Sequence, residues 1–249
     1  MDNRGKADYG SRSRDRHTIL FSRTFEFMAH NASVSRYTKG EEVANSITHG
    51  LGMVLALAGL VVLIVFAALY GNAWHIVACS IFGAALTLLY LASTLYHAIS
   101  HPGAKAILRI LDHSAILVLI AGTYTPFTLV NLRGPWGWSL FGTIWGLAAA
   151  GILIETTTLR RFRRGLIALY VIMGWAVVAA VKPMLANVGS GGLWLLLAGG
   201  LAYTGGIVFY LWQRLPYNHA IWHLFVLAGS TLHYFAILLY VIPLANGAG

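Results

Sequence analysis

Charged side chains are scarce in this sequence. Only 10% of its 249 residues are Asp, Glu, Lys or Arg, whereas 58% are hydrophobic; an average soluble protein carries about 25% charged residues. A soluble domain of this size cannot remove so much apolar surface from water. A lipid bilayer can accommodate it, because the bilayer itself solvates apolar side chains. The composition therefore predicts an integral membrane protein.

Cysteine is also nearly absent. It occurs once, as Cys79, inside an apolar run. A single cysteine excludes a disulfide within the chain and a zinc site built from several thiolates. No cleavable signal peptide is visible either, because the first 46 residues are polar and basic. We therefore expect the first apolar run to act as an uncleaved insertion signal.

Seven apolar runs follow, each close to the about 20 residues with which a helix crosses a bilayer. Short polar or turn-forming connections separate them, and no internal repeat is evident, which weighs against inverted-repeat transporters. The sequence predicts an all-α membrane protein with seven transmembrane helices within residues 41–249. Residues 1–40 form a basic segment that we expect to be largely disordered and cytoplasmic. The predicted spans are 47–70, 75–97, 107–130, 137–155, 165–182, 192–213 and 219–242.

The basic residues lie almost entirely on one side of these spans. All but two of the 17 Lys and Arg residues fall in the N-terminal segment or in the second, fourth and sixth connections; the exceptions are Arg133 and Lys182. The positive-inside rule then places the N-terminus in the cytoplasm and the C-terminus outside. This orientation is opposite to that of G-protein-coupled receptors, and the seventh span has no lysine for a retinal Schiff base. Because topology accounts for the net charge of +9, we expect no nucleic-acid binding.

Acidic residues are rarer still. Six of the eight precede residue 43, and the other two are Asp112 and Glu155. Asp112 opens the third span, where an ionisable residue costs roughly 2.5–3.5 kcal/mol on insertion scales and is functional by default. The alternative is a pair with Arg109, one turn earlier. Glu155 ends the fourth span beside an arginine-rich connection, so we expect it in a surface salt bridge.

Histidines form the second unusual group. His219 and His223 open the seventh span one turn apart and therefore share a helix face. Paired histidines of helical zinc sites hold a metal ion in this way. His97 ends the second span, and the predicted topology places it, both other histidines and Asp112 in the same cytoplasmic layer of the membrane. The sequence therefore predicts a shared metal site.

This residue set is typical of catalysis. Three histidines with one open coordination position characterise catalytic rather than structural zinc sites. Zinc lowers the pKa of a bound water to about 7, and Asp112 is the carboxylate placed to orient that water or to take its proton. Ser93 lies one turn deeper than His97 on the same face. It could hydrogen-bond the water or a substrate carbonyl, or equally bond back to its own helix.

The other histidines are weaker candidates, because their predicted positions do not converge with this set. His101 precedes Pro102, so it should lie where the helix has ended. His233 lies about 15 Å deeper than His223, at 1.5 Å per residue, and at most lines a cavity. The remaining ones, which point away from the cluster or look interfacial, are His49, His75 and His113.

Together these motifs resemble the hemolysin III family of bacterial proteins. The resemblance runs from about residue 38 to the end of the chain. That family belongs with the adiponectin and progestin receptors, seven-helix proteins with an inside N-terminus. The motifs are Glu41-Glu42-Val-Ala-Asn45-Ser-Ile-Thr-His49-Gly50, Ser93-x-x-x-His97, Leu111-Asp112, Gly122-Thr-Tyr-Thr-Pro126 and His219-x-x-x-His223.

The resemblance implies a site and a chemistry. It implies a Zn²⁺ ion bound by His97, His219 and His223, with Asp112 holding a water on the metal and Ser93 adjacent, in a multi-pass protein of the bacterial inner membrane. The wider superfamily includes alkaline ceramidases, which implies hydrolysis of lipid amides or esters and a role in membrane lipid homeostasis. Membrane lipids would then be the substrates.

Two other functions stay open, as does the oligomeric state. The name hemolysin implies a pore-forming cytolysin. A pore needs polar residues along its whole lumen, whereas the ionisable residues here gather at one end of the spans. The other alternative is a non-catalytic membrane sensor or receptor with a structural zinc. The sequence fits this function as well as it fits the hydrolase.

Overall fold

The computed structural model describes residues 37–157, 159 and 162–243. Seven helices of this part are long and apolar enough to cross a membrane, and it contains no strand. The predicted all-α, seven-helix architecture is confirmed, while the orientation of the termini stays a prediction from the charge pattern. The predicted disordered segment lies outside the described residues except at its end.

The helices are α1 (Lys39–Tyr70), α2 (Ala73–Ala98), α3 (Pro102–Pro126), α4 (Pro135–Thr156), α5 (Arg163–Trp175, continued by Ala176–Ala180 and Val181–Asn187), α6 (Ser190–Leu211) and α7 (Asn218–Tyr240).

Helix α1 begins at Lys39, well before the predicted start at residue 47. Thr38 caps it, because its Oγ1 accepts a hydrogen bond from the Glu41 amide at 3.3 Å while Glu41 Oε2 accepts one from the Thr38 amide at 2.8 Å. This reciprocal capping box is a strong helix start. The added turns are polar, so an apolar run does not reveal them. They carry buried Asn45 toward the inside of the bundle.

Helix α3 lies very close to α2. A Cβ atom placed on Gly122 would come within 2.7 Å of the Ala85 Cβ, so only glycine permits this approach of the two backbones. After Pro126 the chain continues as a π-helical turn, Phe127–Asn131. Proline cannot donate the backbone hydrogen bond of a regular helix, which explains why the α-helical pattern changes there.

The bundle packs α1 against α2 and α7, α2 against α3, α3 against α4, and α6 against α7. The largest buried core includes Leu63, Phe82, Tyr90 and Ile237, so α1, α2 and α7 share one interior. The outer faces are apolar; Leu69 and Trp194, for example, are more than 60% exposed. Such a surface suits a lipid environment rather than water.

Candidate metal centre

Three histidines from two helices converge inside the bundle. His97 lies at the C-terminal end of α2, and His219 and His223 lie in the first two turns of α7. Their ligating nitrogens are all within 4.8 Å of one another. As whole residues they are 3%, 7% and 1% exposed, respectively. The structure thus brings together the three residues that the sequence proposes as metal ligands.

The chemistry of this cluster fits a divalent ion. Nitrogens that share a tetrahedral zinc at 2.0–2.1 Å lie roughly 3.3 Å apart, so small side-chain rotations would close the cluster around one ion. The Nε2 atom of His97 is buried and has no hydrogen-bond partner among the described residues. A buried polar atom without a partner is costly, and a metal bond would satisfy this one.

The second nitrogens of two of these histidines are held in place. Nδ1 of His97 donates to Glu42 Oε2 at 2.6 Å. Nδ1 of His223 donates to the Asn45 carbonyl at 3.2 Å and lies 3.1 Å from Thr48 Oγ1. Metal-binding histidines usually donate their other N–H to a carboxylate or a carbonyl, which fixes the ring orientation. The arrangement leaves Nε2 of both residues for coordination.

Asp112 and Ser93 are buried beside this cluster, and both line the same cavity as His219 and His223. The Asp112 carboxylate does not belong to the cluster of three histidines whose nitrogens lie within 4.8 Å of one another. This position suits a carboxylate that acts through a water molecule rather than as a direct metal ligand. Within the described part of the chain, no ion pair joins Asp112 to Arg109. Ser93 Oγ makes no hydrogen bond back to its own helix, and its hydroxyl neighbours Asp112.

His49 is buried, so its predicted interfacial position is wrong. Its ring stacks on that of His223, with centroids 3.4 Å apart and planes inclined by 10°. Its other neighbour is Tyr90, in a T-shaped contact at 5.0 Å. The error follows from the start of α1: because the helix begins at Lys39, residue 49 lies well inside it and faces α2 and α7.

Glu155 is also buried, so its expected position at the surface is wrong. Its Oε1 accepts a hydrogen bond from His113 Nδ1 at 3.0 Å. The arginine-rich sequence that follows Glu155 did not suggest this burial. Arginines 160 and 161 of that connection lie outside the described residues.

The positions of two weaker histidine candidates are as expected. His101 lies between α2 and α3, where its side chain caps α3 by accepting a hydrogen bond from the Ala104 amide at 3.4 Å. His233 lines the cavity, and its Nε2 lies 3.1 Å from the Leu196 carbonyl. Neither belongs to the histidine cluster.

Sequence reasoning missed two residues of the site, Glu42 and Lys105. The two oxygens of Glu42 have different partners: Oε2 accepts from His97, and Oε1 pairs with Lys105 Nζ at 2.9 Å. Lys105 is buried and also donates to the Tyr96 carbonyl at 2.8 Å. Glu42 belongs to a motif that carries the family resemblance, but an acidic residue before an apolar run is equally typical of an ordinary helix start.

A cavity of about 880 Å³ extends from the histidines into the bundle. Its volume is near the upper end of the roughly 300–1,000 Å³ range for small-molecule sites. Apart from the site residues, its walls are largely aliphatic and aromatic. Representative lining residues from five helices are Leu89, Ile116, Ile120, Val171, Ile207, Trp222 and Val226.

The sequence matches the model of the family described as "Haemolysin-III related" over residues 37–234. The chain belongs to the hemolysin III family. It is 50% identical over 206 residues to "Hemolysin-3" of Bacillus cereus, which covers 83% of this chain and 94% of that protein. It is 32% identical over 235 residues to the human "Monocyte to macrophage differentiation factor", an alignment that covers 90% of this chain and 95% of that protein.

A more distant similarity reaches plants. The rice "Heptahelical transmembrane protein ADIPOR2" is 28% identical over 176 residues, which cover 61% of this chain and 76% of that protein. Family membership and the seven apolar helices together make the chain a multi-pass membrane protein, in a bacterium.

Proposed function

We propose that the chain is a zinc-dependent membrane hydrolase that cleaves lipid amides or esters and contributes to membrane lipid homeostasis. The observation that carries the proposal is the position of three converging histidines beside a large apolar cavity that Asp112 and Ser93 also line. A zinc ion at this cluster would supply Lewis acidity and an acidic water. The aliphatic walls suit acyl chains, and they keep bulk water from the reacting bond.

The side chains divide the remaining work. The three imidazoles would hold the ion. Asp112 takes a proton from the attacking water, and the Ser93 hydroxyl donates a hydrogen bond to the scissile carbonyl oxygen. The water oxygen forms a bond to the acyl carbon while the C–N or C–O bond breaks. The proton passes from Asp112 to the leaving amine or alcohol, and the other product is a fatty acid.

Metal content and hydrolysis in detergent test this proposal together. We expect about one zinc per chain in the wild type and none in the His219→Ala/His223→Ala protein. Asp112→Asn should retain zinc but cleave a fluorescent ceramide and its ester analogue about 10²–10⁴-fold more slowly, the usual contribution of a general base. Absence of metal from the wild type after zinc is added back would contradict the proposal. Stoichiometric zinc without cleavage of either lipid would favour the sensor function.

The second candidate function is cytolysis, which the name of the Bacillus cereus relative, "Hemolysin-3", favours. A conducting pore needs a polar lumen, and the large cavity here has mostly apolar walls. Conductance across planar bilayers is the direct test. Channels that persist in the His219→Ala/His223→Ala protein would support a pore independent of the metal site, and their absence in the wild type would exclude this function.

A further inference from the structure

The N-terminal end of α1 contacts each of the three histidines. The Tyr37 ring, just before the helix, stacks on that of His219 with centroids 5.0 Å apart. Asn45 and Thr48 contact His223, and Glu42 contacts His97. Since α1 packs against both α2 and α7, it connects the two helices that carry the histidines.

The Glu42 contact is the strongest of these. The distance of 2.6 Å between His97 Nδ1 and the carboxylate is short, as expected when a hydrogen bond is made to a charged group. The other carboxylate oxygen pairs with buried Lys105, at the start of α3. The carboxylate therefore joins α1, α2 and α3 beside the histidine cluster, and Lys105 offsets the cost of burying its charge.

His97 needs such a support more than the other two histidines. His219 and His223 are one turn apart on α7, so their helix sets their relative position. His97 is the only cluster member from α2 and sits next to the last residue of that helix. Its approach to the other two histidines depends on its own rotamer and on how α2 is held.

We propose that Glu42 is a positioning residue of the metal centre, which holds Nδ1 of His97 so that Nε2 faces the ion, while Lys105 holds Glu42. The proposal rests on the metal site proposed above. A glutamine cannot replace Glu42 fully, because His97 and Lys105 donate to different carboxylate oxygens. In glutamine one of these positions is an NH₂ group, which donates hydrogen bonds and cannot accept from either partner. Loss of a partner of this kind typically weakens metal binding 10–100-fold.

The test compares Glu42→Gln with the wild type and with Glu155→Gln. The control removes the same charge from the other Glu–His pair, His113–Glu155, whose histidine is outside the cluster. Zinc affinity is measured by chelator competition, and the visible spectrum of the Co²⁺-loaded protein reports the ligand geometry. We expect Glu42→Gln to bind zinc 10–100-fold more weakly, with an altered Co²⁺ spectrum, and Glu155→Gln to match the wild type.

The outcomes separate this proposal from the previous one. A wild type that binds no zinc refutes the metal site itself. A wild type that binds zinc, beside a Glu42→Gln protein with the same affinity and Co²⁺ spectrum, overturns the role of Glu42 alone. Equal weakening in both glutamine variants also overturns it, because general destabilisation would then explain the weaker zinc binding.

If Glu42→Gln does not fold, Glu42→Asp replaces it. That variant keeps the charge but is one methylene too short to reach both partners, so unchanged zinc affinity would again refute the proposal.

Discussion

Two glutamates each pair with a histidine in this molecule, and their surroundings differ; Glu155 is buried, whereas Glu42 is partly exposed. Glu42 lies 2.6 Å from His97, whereas Glu155 lies 3.0 Å from His113. Both pairs join neighbouring helices, but only the first adjoins the histidine cluster and has a lysine on its other oxygen. The His97 side chain is fully buried, while that of His113 is 22% exposed.

The comparison shows that the residue pair alone does not define a function. In both cases a carboxylate fixes an imidazole. The imidazole of His97, however, has a second nitrogen, Nε2, which is buried beside two more imidazoles and has no hydrogen-bond partner in the part of the chain that the structure describes. His113 instead lines the cavity. The first pair is thus suited to hold a metal ligand, and the second to shape the wall where a substrate would lie.

Substitution of the histidine of each Glu–His pair, His97 or His113, should produce the largest difference, which is in zinc content. His97→Ala leaves two ligands for the ion, so we expect loss of stoichiometric zinc, because catalytic sites need three protein ligands. His113→Ala should retain about one zinc per chain, because its ring lies outside the cluster. Metal analysis of both purified proteins checks this prediction. Zinc retained in His97→Ala at wild-type affinity would remove this residue from the metal centre.

Removal of the two carboxylates should give a smaller effect, visible in metal-linked stability. A ligand that binds only the folded state stabilises it according to its concentration and affinity. A 10–100-fold weaker zinc site in Glu42→Gln would therefore lower the zinc-dependent stabilisation by about 1.4–2.7 kcal/mol at saturating zinc. Unfolding in detergent with and without zinc measures this quantity. In Glu155→Gln the stabilisation by zinc should equal that of the wild type, whatever its metal-free stability.

The seven spans and the convergence of three histidines could be predicted from the sequence. Long apolar runs report membrane helices directly. Residues 219 and 223 share a face in any helix, and counting the spans places residue 97 at the same end of the bundle. These inferences use only local periodicity and chain direction, which is why they agree with the structure.

The polar partners of the site could not be predicted in this way. Glu42 and Lys105 lie in stretches whose charge is explained equally well by helix capping and topology, and only tertiary packing brings them into contact. His49 and Glu155 were misplaced for the same reason. Burial of a polar residue at a helix end depends on which side chains the neighbouring helices pack against it. These side chains are distant in the sequence, so local sequence patterns do not reveal them.

The smallest effect is on the free energy of unfolding, when a threonine near each glutamate on the same helix is replaced by alanine. Thr38 caps α1 four residues before Glu42, so Thr38→Ala should lower the free energy of unfolding by about 1 kcal/mol, the usual value of a lost cap. The matched control is Thr156→Ala, next to Glu155, whose exposed hydroxyl only bonds back to the Ile152 and Leu153 carbonyls. Its effect should stay within about 0.5 kcal/mol. Chemical denaturation of the metal-free proteins measures both, and equal effects would show that the capping box does not stabilise the end of α1 that holds Glu42.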